Sequence, residues 1–225
     1  MADGIIVIGA GGFGRETLDV IAAVNAANGE PLWDVLGVID DAPAAIQVER
    51  LHDRGIRLLG DTDGNRRLLD GTPYVVGVGS PSARTRIAEK VEAWGARPTV
   101  LVHPAAAVGT RVTMAPGSVV CGGAQISTNV RLGRHAHINP GAIVGHDTVL
   151  EDFVSVNPGA ILSGEVAVGA HTLIGAGATV LQGLSVGGSA TVGAGACVTK
   201  DVAPGSVVVG VPARAVHPDG RREGL

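Results

Sequence analysis

Asn139-Pro140-Gly141-Ala142-Ile143 recurs word for word as Asn157-Pro158-Gly159-Ala160-Ile161, eighteen residues later. Gly175-Ala176-Gly177-Ala178-Thr179 returns as Gly193-Ala194-Gly195-Ala196-Cys197 at the same interval. A shorter beat runs inside each eighteen. Every sixth residue from Val102 (Val108, Met114, Val120, Ile126, Leu132, Ile138 and on to Val198) is aliphatic, without a slip. The residue four positions further on is usually small or β-branched, as at Ala106, Val112, Ser118 and Ala124, and the residue directly after is often glycine, as at Gly109, Gly133 and Gly145. A helix needs apolar residues every three or four positions, and this stretch lacks them. A fixed short period instead describes a solenoid of stacked coils. Three hexads make one coil with three flat faces. Aliphatic side chains point inward, and Gly or Asn serves the corners. Each coil lies ~4.8 Å above the last. The seventeen hexads of 102–203 make nearly six coils.

Composition narrows the function. The chain has 225 residues and a net charge of −4. No Lys/Arg run exceeds two residues, which argues against a groove that tracks nucleic-acid phosphates. Only five residues are Phe, Trp or Tyr, too few for base-stacking platforms but suited to a thin aliphatic coil. Cys121 and Cys197 have neither metal-type spacing nor a disulfide framework, and are expected as small residues of the coils. No apolar run approaches the ~20 residues of a membrane span. The N-terminus lacks a leader pattern. The expectation is a soluble cytoplasmic protein.

Upstream of the coils the pattern changes. Gly4–Ile8 reads as a buried strand, followed by Gly9-Ala10-Gly11-Gly12-Phe13-Gly14 and a helical pattern through Thr17, Leu18, Val20, Ile21 and Val24. Strand, Gly-rich turn and helix give GxGxxG its meaning: backbone N–H groups approach a phosphate, and the helix N-terminus favours its charge. Trp33–Ile39 is the next strand. Asp40-Asp41 follow, offering acceptors to a ribose or base, or serving as a turn and cap. A weak strand over Ile56–Leu59 and a short helix over Thr62–Leu69 come next, then a strand over Tyr74–Val78. Gly79-Ser80-Pro81 leads into a helix over Ser82–Trp94 with Ile87, Val91 and Trp94 inward. Arg84 and Arg86 in its first turns meet either a phosphate or solvent. The result is a short Rossmann-like parallel sheet over residues 1–101, sized for a mononucleotide or nucleotide sugar rather than a dinucleotide. The coils extend over 102–216, closed by the segment from Pro204 to Arg214, and 217–225 form a polar tail.

Most histidines read as structural. His52 falls in a loop, and His103 and His217 each precede a proline. His135 and His171 are two coils apart and form an outward column with no third ligand, so no metal site is expected. His146 differs. It stands at a corner, in Gly145-His146-Asp147, and Gly164 lies one coil above it. Asn139 and Asn157 stack at a neighbouring corner. A base, a carboxylate to orient it and a bare N–H for an oxyanion suit acyl transfer. Spacing alone leaves two accounts open: this site, or a surface histidine among Asn ladders.

The whole chain resembles the NeuD/PglD-type sugar acyltransferases, a branch of the left-handed β-helix (hexapeptide-repeat) acetyltransferases. The resemblance rests on the opening GAGGFGRE, Asp40-Asp41, the Gly79–Arg84 turn, His103-Pro104, Ile138-Asn139, His146-Asp147, Asp152-Phe153 and the closing Gly210-Val211-Pro212-Ala213-Arg214. It implies left-handed coils and a homotrimer with acetyl-CoA in the cleft between neighbouring solenoids. It implies His146 as base, Asp147 as its partner, Asn139 in the active site and Gly164 as donor to the acetyl carbonyl. Gly193, Ala194 and Gly195 match contacts to CoA, with Pro212 and Arg214 in the closing motif. The nucleotide sugar falls to Gly9, Gly11, Gly12, Phe13, Gly14, Asp40, Asp41, Ser80, Arg84 and Ser155. Two of these depart from the family pattern: Phe13 and Ser155 stand where relatives often carry His. His137, eighteen residues before Ser155, offers a replacement imidazole.

The function expected is therefore acetyl-CoA-dependent N-acetylation of the 4-amino group of a nucleotide-linked amino-dideoxy sugar, without metal or covalent acyl-enzyme. O-acetylation of a sialic acid or other sugar hydroxyl is the competing chemistry, and an acceptor panel separates the two. A trimeric scaffold that binds nucleotide sugar without turnover is a third possibility, and it predicts no acetyl-CoA binding.

Overall fold

The computed structural model describes residues 2–216 in two units, Met1–Pro104 and Ala105–Leu225. The polar tail at 217–225, with His217, lies outside the described residues. No helix among them is long and apolar enough to cross a membrane.

The first unit alternates strand and helix: β1 (Asp3–Ile8), α1 (Gly12–Ala27), β2 (Trp33–Ile39), α2 (Ala45–His52), β3 (Leu58–Gly60), α3 (Arg66–Leu69), β4 (Pro73–Val76), α4 (Pro81–Glu92) and β5 (Arg97–Pro98). The strands form one parallel sheet in the order β3-β2-β1-β4-β5. Helices cover parallel sheets on both faces, so their central strands are continuously apolar. Ile5, Ile6, Val7 and Ile8 are accordingly buried, as are Tyr74, Val75 and Val76. The strand order reverses between β1 and β4, where ligands of open α/β sheets bind, beyond the carboxyl ends of the strands.

Three expectations need correction here. Helix α2 was not foreseen, so His52 ends a helix rather than lying in a loop. Gln47 helps start that helix by accepting the Ala44 N–H at 2.9 Å. The helix expected over Thr62–Leu69 shrinks to one turn, because Asp41 takes both the N–H and the hydroxyl of Thr62. The inner face of α4 is Pro81, Arg84, Ala88 and Val91. Trp94 lies past its end, with the Arg66 and Lys90 cations 5.5 and 5.3 Å from its ring.

The second unit repeats every eighteen residues. One face carries Ala107–Val108, Gln125–Ile126, Ile143–Val144, Ile161–Leu162, Thr179–Val180 and Cys197–Val198 as parallel strands. A second runs from Thr113–Met114 to Ser185–Val186, and a third continues from Val119–Val120 to Val207–Val209. The inward residue of each pair is aliphatic. From Val120 to Val198 these are at most 3 % exposed, whereas Val108, in the first coil with no coil beneath it in this unit, is 41 % exposed. Burying each such side chain contributes about 1.5–3 kcal/mol. Inward polar residues bond to backbone: the Thr172 hydroxyl donates to Gly187 O at 2.9 Å.

The last coil is two residues short, since Thr191 pairs with Val207. Arg214–Ala215 then runs antiparallel to Val208–Val209 and covers the sheet edge that would otherwise invite pairing.

The corners differ from expectation. Arg111, Asn129, His135, Asp147, Phe153, Glu165, His171 and Ser189 all hold positive φ, alongside glycines. His135 and His171 do not form an open outward column. His135 is fully buried, and Phe153 stacks between them with ring centroids 5.2 and 5.3 Å away.

Candidate active site

The face Ile143–Val144 ends at Gly145, and the chain turns through His146 and Asp147. Asp147 takes the left-handed conformation the corner requires, at φ 59°. Its N–H donates to Thr128 O at 3.0 Å, one coil below. His146 Nδ1 lies 2.7 Å from Asp147 Oδ2, and Asn129 Nδ2 donates to Asp147 Oδ1 at 3.0 Å. The hydrogen bond from His146, and then that from Asn129, hold the Asp147 carboxyl below its ordinary value of 3.8. A fixed anion at Nδ1 assigns the proton of the neutral ring to that nitrogen and leaves the Nε2 lone pair available. Both side chains are 47 % exposed, so the imidazole is open to solvent.

Gly164 sits directly over the ring. A Cβ there would stand 2.4 Å from His146 Cε1 and Nε2, a distance no side chain tolerates. Among the described residues the Gly164 N–H donates to no backbone carbonyl. A backbone N–H without a backbone acceptor, beside an imidazole, is an arrangement that suits an oxyanion. Glu165 follows, donating its N–H to His146 O at 2.7 Å. Its carboxylate, Asp147 and His146 bring one polar atom each within 4.8 Å of one another. A cleft of about 480 Å³ runs along the adjoining face, lined by Val108, Gln125, Ser127, Ile143, Gly145 and His146 among others.

The other expected coil residues lie elsewhere. Asn139 is at the far end of the same face, before Pro140, and donates to Val156 O at 3.0 Å. One chain does not bring it to His146. Ser155 pairs with His137 as foreseen, and both are buried. Gly193 and Gly195 donate their N–H groups to Val208 and Ala176, which leaves Ala194 as the exposed residue between them. Pro212 belongs to the closing turn. Arg214 lines a separate cavity of about 400 Å³ at the end of the coils, with Lys200, Asp201 and Ser206.

In the first unit, the glycines of the β1–α1 turn divide by role. A Cβ on Gly14 would overlap Gly9 O at 1.8 Å, and Gly9 is itself at φ 116° and packed on Gly77. These glycines close strand against helix. Gly12 has nothing within 4 Å of such a Cβ, and Gly11 only the end of Gln47 at 3.9 Å, so there the glycines leave open space. Phe13 is half-buried beside them.

Asp40 ties this turn down: Oδ2 accepts the Ala10 N–H at 2.7 Å and Oδ1 that of Ala42 at 2.9 Å. Asp41 holds Thr62, whose hydroxyl keeps the carboxyl below its usual value. Both aspartates therefore build the turns as well as offering their remaining lone pairs. Ser80 caps α4 through Ala83 N–H at 3.4 Å. Arg84 is neither solvated nor presented to a phosphate. It is fully buried and donates to the carbonyls of Val78 at 2.8 Å and Gly79 at 3.2 Å, and burial pushes its pKa down to about 9.

Asn129 and Glu165 were missed by inspection of the sequence. Their signal was present: they are the residues eighteen before and eighteen after Asp147.

The PglD N-terminal domain family matches residues 4–91. No curated protein matches the chain. Among solved structures, the acetyltransferase domain of PglB from Neisseria gonorrhoeae is 30 % identical, with 95 % of this chain and 99 % of that one covered and a TM-score of 0.82. PerB from Caulobacter crescentus, in complex with CoA and GDP-perosamine, is 28 % identical over 96 % and 99 % of the two chains, with a TM-score of 0.84. WeeI from Acinetobacter baumannii is 27 % identical over 94 % and 99 %, with a TM-score of 0.80.

Proposed function

The chain belongs to the NeuD/PglD-type sugar acyltransferases, and from that premise we propose that it acetylates the 4-amino group of a nucleotide-linked amino-dideoxy sugar with His146 as general base. The C-terminal unit is a left-handed parallel β-helix, and the protein is an acetyl-CoA-dependent sugar N-acetyltransferase. The observation that carries the mechanism is the His146 ring held between Asp147 and the bare backbone of Gly164.

The sugar amine attacks the thioester carbonyl directly. His146 Nε2 accepts the proton that the nitrogen sheds, and Asp147 stabilises the imidazolium. The Gly164 N–H donates to the oxyanion as it forms. Collapse breaks the C–S bond, and the imidazolium returns its proton to the departing sulfur. Atoms balance without a covalent enzyme intermediate. The open glycines 11 and 12 receive the nucleotide diphosphate, with Asp40 and Asp41 as acceptors for ribose and base.

A homotrimer completes this picture. Asn139 and His146 mark opposite ends of one face, so only a second copy brings an Asn139 corner beside a His146 corner. Ile161 and Leu181, 38 % and 42 % exposed, supply apolar surface for that contact. Acetyl-CoA lies in the resulting cleft, with Ala194, Pro212 and Arg214 toward its far end. The test is thiol release from acetyl-CoA against nucleotide sugars with and without a 4-amino group, for wild type and His146→Ala. Release with amino sugars, lost in the variant, supports the proposal. Release with hydroxyl acceptors alone replaces N- by O-acetylation, and nucleotide binding without any release leaves a scaffold.

A further inference from the structure

We propose that Glu165 selects the acceptor: its carboxylate, poised over the His146 corner, draws a cationic amine to the base in preference to a neutral hydroxyl. The inference rests on His146 as the base and goes beyond it by naming the group that discriminates.

Three observations carry it. First, the corner does not need a glutamate. Glu165 sits at φ 60°, where glycine is favoured, and the corresponding residue one coil further on is Gly183 at φ 70°. Second, the carboxylate has no structural task. It is exposed and makes no hydrogen bond or ion pair among the described residues, whereas both Asp147 oxygens are taken by His146 and Asn129. Third, it is close to the chemistry. One of its oxygens lies within 4.8 Å of a His146 ring nitrogen. Whichever ring nitrogen that is, an amine hydrogen-bonded to Nε2 at ~3 Å is within about 10 Å of Glu165, no further than a Debye length at 0.1 M salt.

Primary amines arrive largely as ammonium ions near neutral pH, while sugar hydroxyls carry no charge. Asp147 is already neutralised in part by its donors. Both kinds of acceptor carry the same nucleotide diphosphate, so they differ by the ammonium charge alone, and Glu165 adds an uncompensated negative charge beside that group, which favours the amino acceptor over the hydroxyl one. After binding, one proton leaves the ammonium to solvent and the second passes to His146 during attack. Glu165 takes neither.

The experiment is steady-state kinetics of the full-length protein with a 4-amino nucleotide sugar, from 20 to 500 mM NaCl, for wild type, Glu165→Gln and Glu165→Gly. The expected result is an acceptor KM roughly three- to tenfold higher in both variants at low salt, with kcat within about twofold. The salt dependence of the acceptor KM should also differ between wild type and the two variants, with the wild-type KM rising more steeply, since the diphosphate contributes equally to all three. The acetyl-CoA KM should not move. Glu165→Gly separates folding from function, since glycine suits this corner: its Tm should equal or exceed that of wild type. Unchanged acceptor KM and salt dependence in Glu165→Gln would overturn the proposal. So would a change confined to the acetyl-CoA KM, a large Tm loss in Glu165→Gly, or abolition of wild-type turnover by a chelator, which would make the three groups a metal site. A silent wild type, or full activity in His146→Ala, removes the base itself and is told apart from failure of Glu165 alone.

Discussion

His135 and His146 occupy neighbouring corners of the coil stack, eleven residues apart, and their environments are opposite. His135 is itself the positive-φ residue of its turn, and its ring continues the column into Phe153 and His171. It is sealed: a Cβ on Gly117 beneath it would come within 2.3 Å of Nδ1. His146 precedes the positive-φ residue, which is Asp147, and its ring meets the Gly164 backbone one coil up. The lesson is that residue type at a corner says little. Position within the turn and the identity of the residue eighteen further on decide whether an imidazole becomes part of a stack or stays open beside bare backbone.

That contrast breaks first at His146. His146→Ala should lower kcat by about 10²- to 10⁴-fold with little change in Tm. Steady-state rates and a thermal melt check both halves, and near-normal turnover would sink the assignment. Gly164→Ala gives the corner the side chain its partner lacks. It should displace the ring and cost on the order of 10²-fold in kcat while the coils stay folded by circular dichroism.

Asp147→Asn tests the tautomer and should cost about tenfold or more. Its pH behaviour has a definite sign. A carboxyl with a folded pKa below 3.8 favours the native state above its unfolded value, and that contribution is lost only as pH falls through the lower folded value. Wild type should therefore keep this anion through mildly acidic conditions, and a melt series down to pH 3 compared with Asp147→Asn reads it directly.

His135→Ala is the reverse control. Losing a buried stacked ring should destabilise by roughly 2–4 kcal/mol, read as a lower Tm, with kcat retained at permissive temperature. Lost turnover in a folded His135→Ala would erase the distinction between the two corners. The smallest effect sharpens the picture in the other unit. Arg84→Met leaves the Val78 and Gly79 carbonyls without their donor and should raise the nucleotide-sugar KM about fivefold with the acetyl-CoA KM unchanged.

Much of the second unit is legible because a solenoid turns three-dimensional neighbours into a fixed sequence offset. Adding eighteen to His146 or His137 names the residue one coil above, Gly164 or Ser155, and the ladder confirms the register. The same sum run from Asp147 would have found Asn129 and Glu165. The sum fails where the coil loses two residues after Val198, because a short corner is not periodic.

In the first unit the strands and the Gly-rich turn were readable from apolar runs and glycines. Helix α2 was not, since it buries only Leu51 and so has little apolar periodicity to show. The fates of Asp40, Asp41 and Arg84 were hidden for a different reason. Asp40 meets Ala10 across thirty residues and Asp41 meets Thr62 across twenty-one, with no repeat to relate them. Whether an exposed-looking Arg84 turns inward depends on loop carbonyls that only the packed sheet presents.

The sequence by itself therefore determined the coil, its period, the His146–Asp147 corner and the glycine above it, because each follows from local patterning or a constant offset. Only the tertiary structure decided which carboxylates have free lone pairs, which histidine is buried in a stack and which corner carboxylate, among the described residues, makes no hydrogen bond beside His146. Those outcomes depend on non-local packing, where the free energy of a side chain is set by neighbours that no local pattern names.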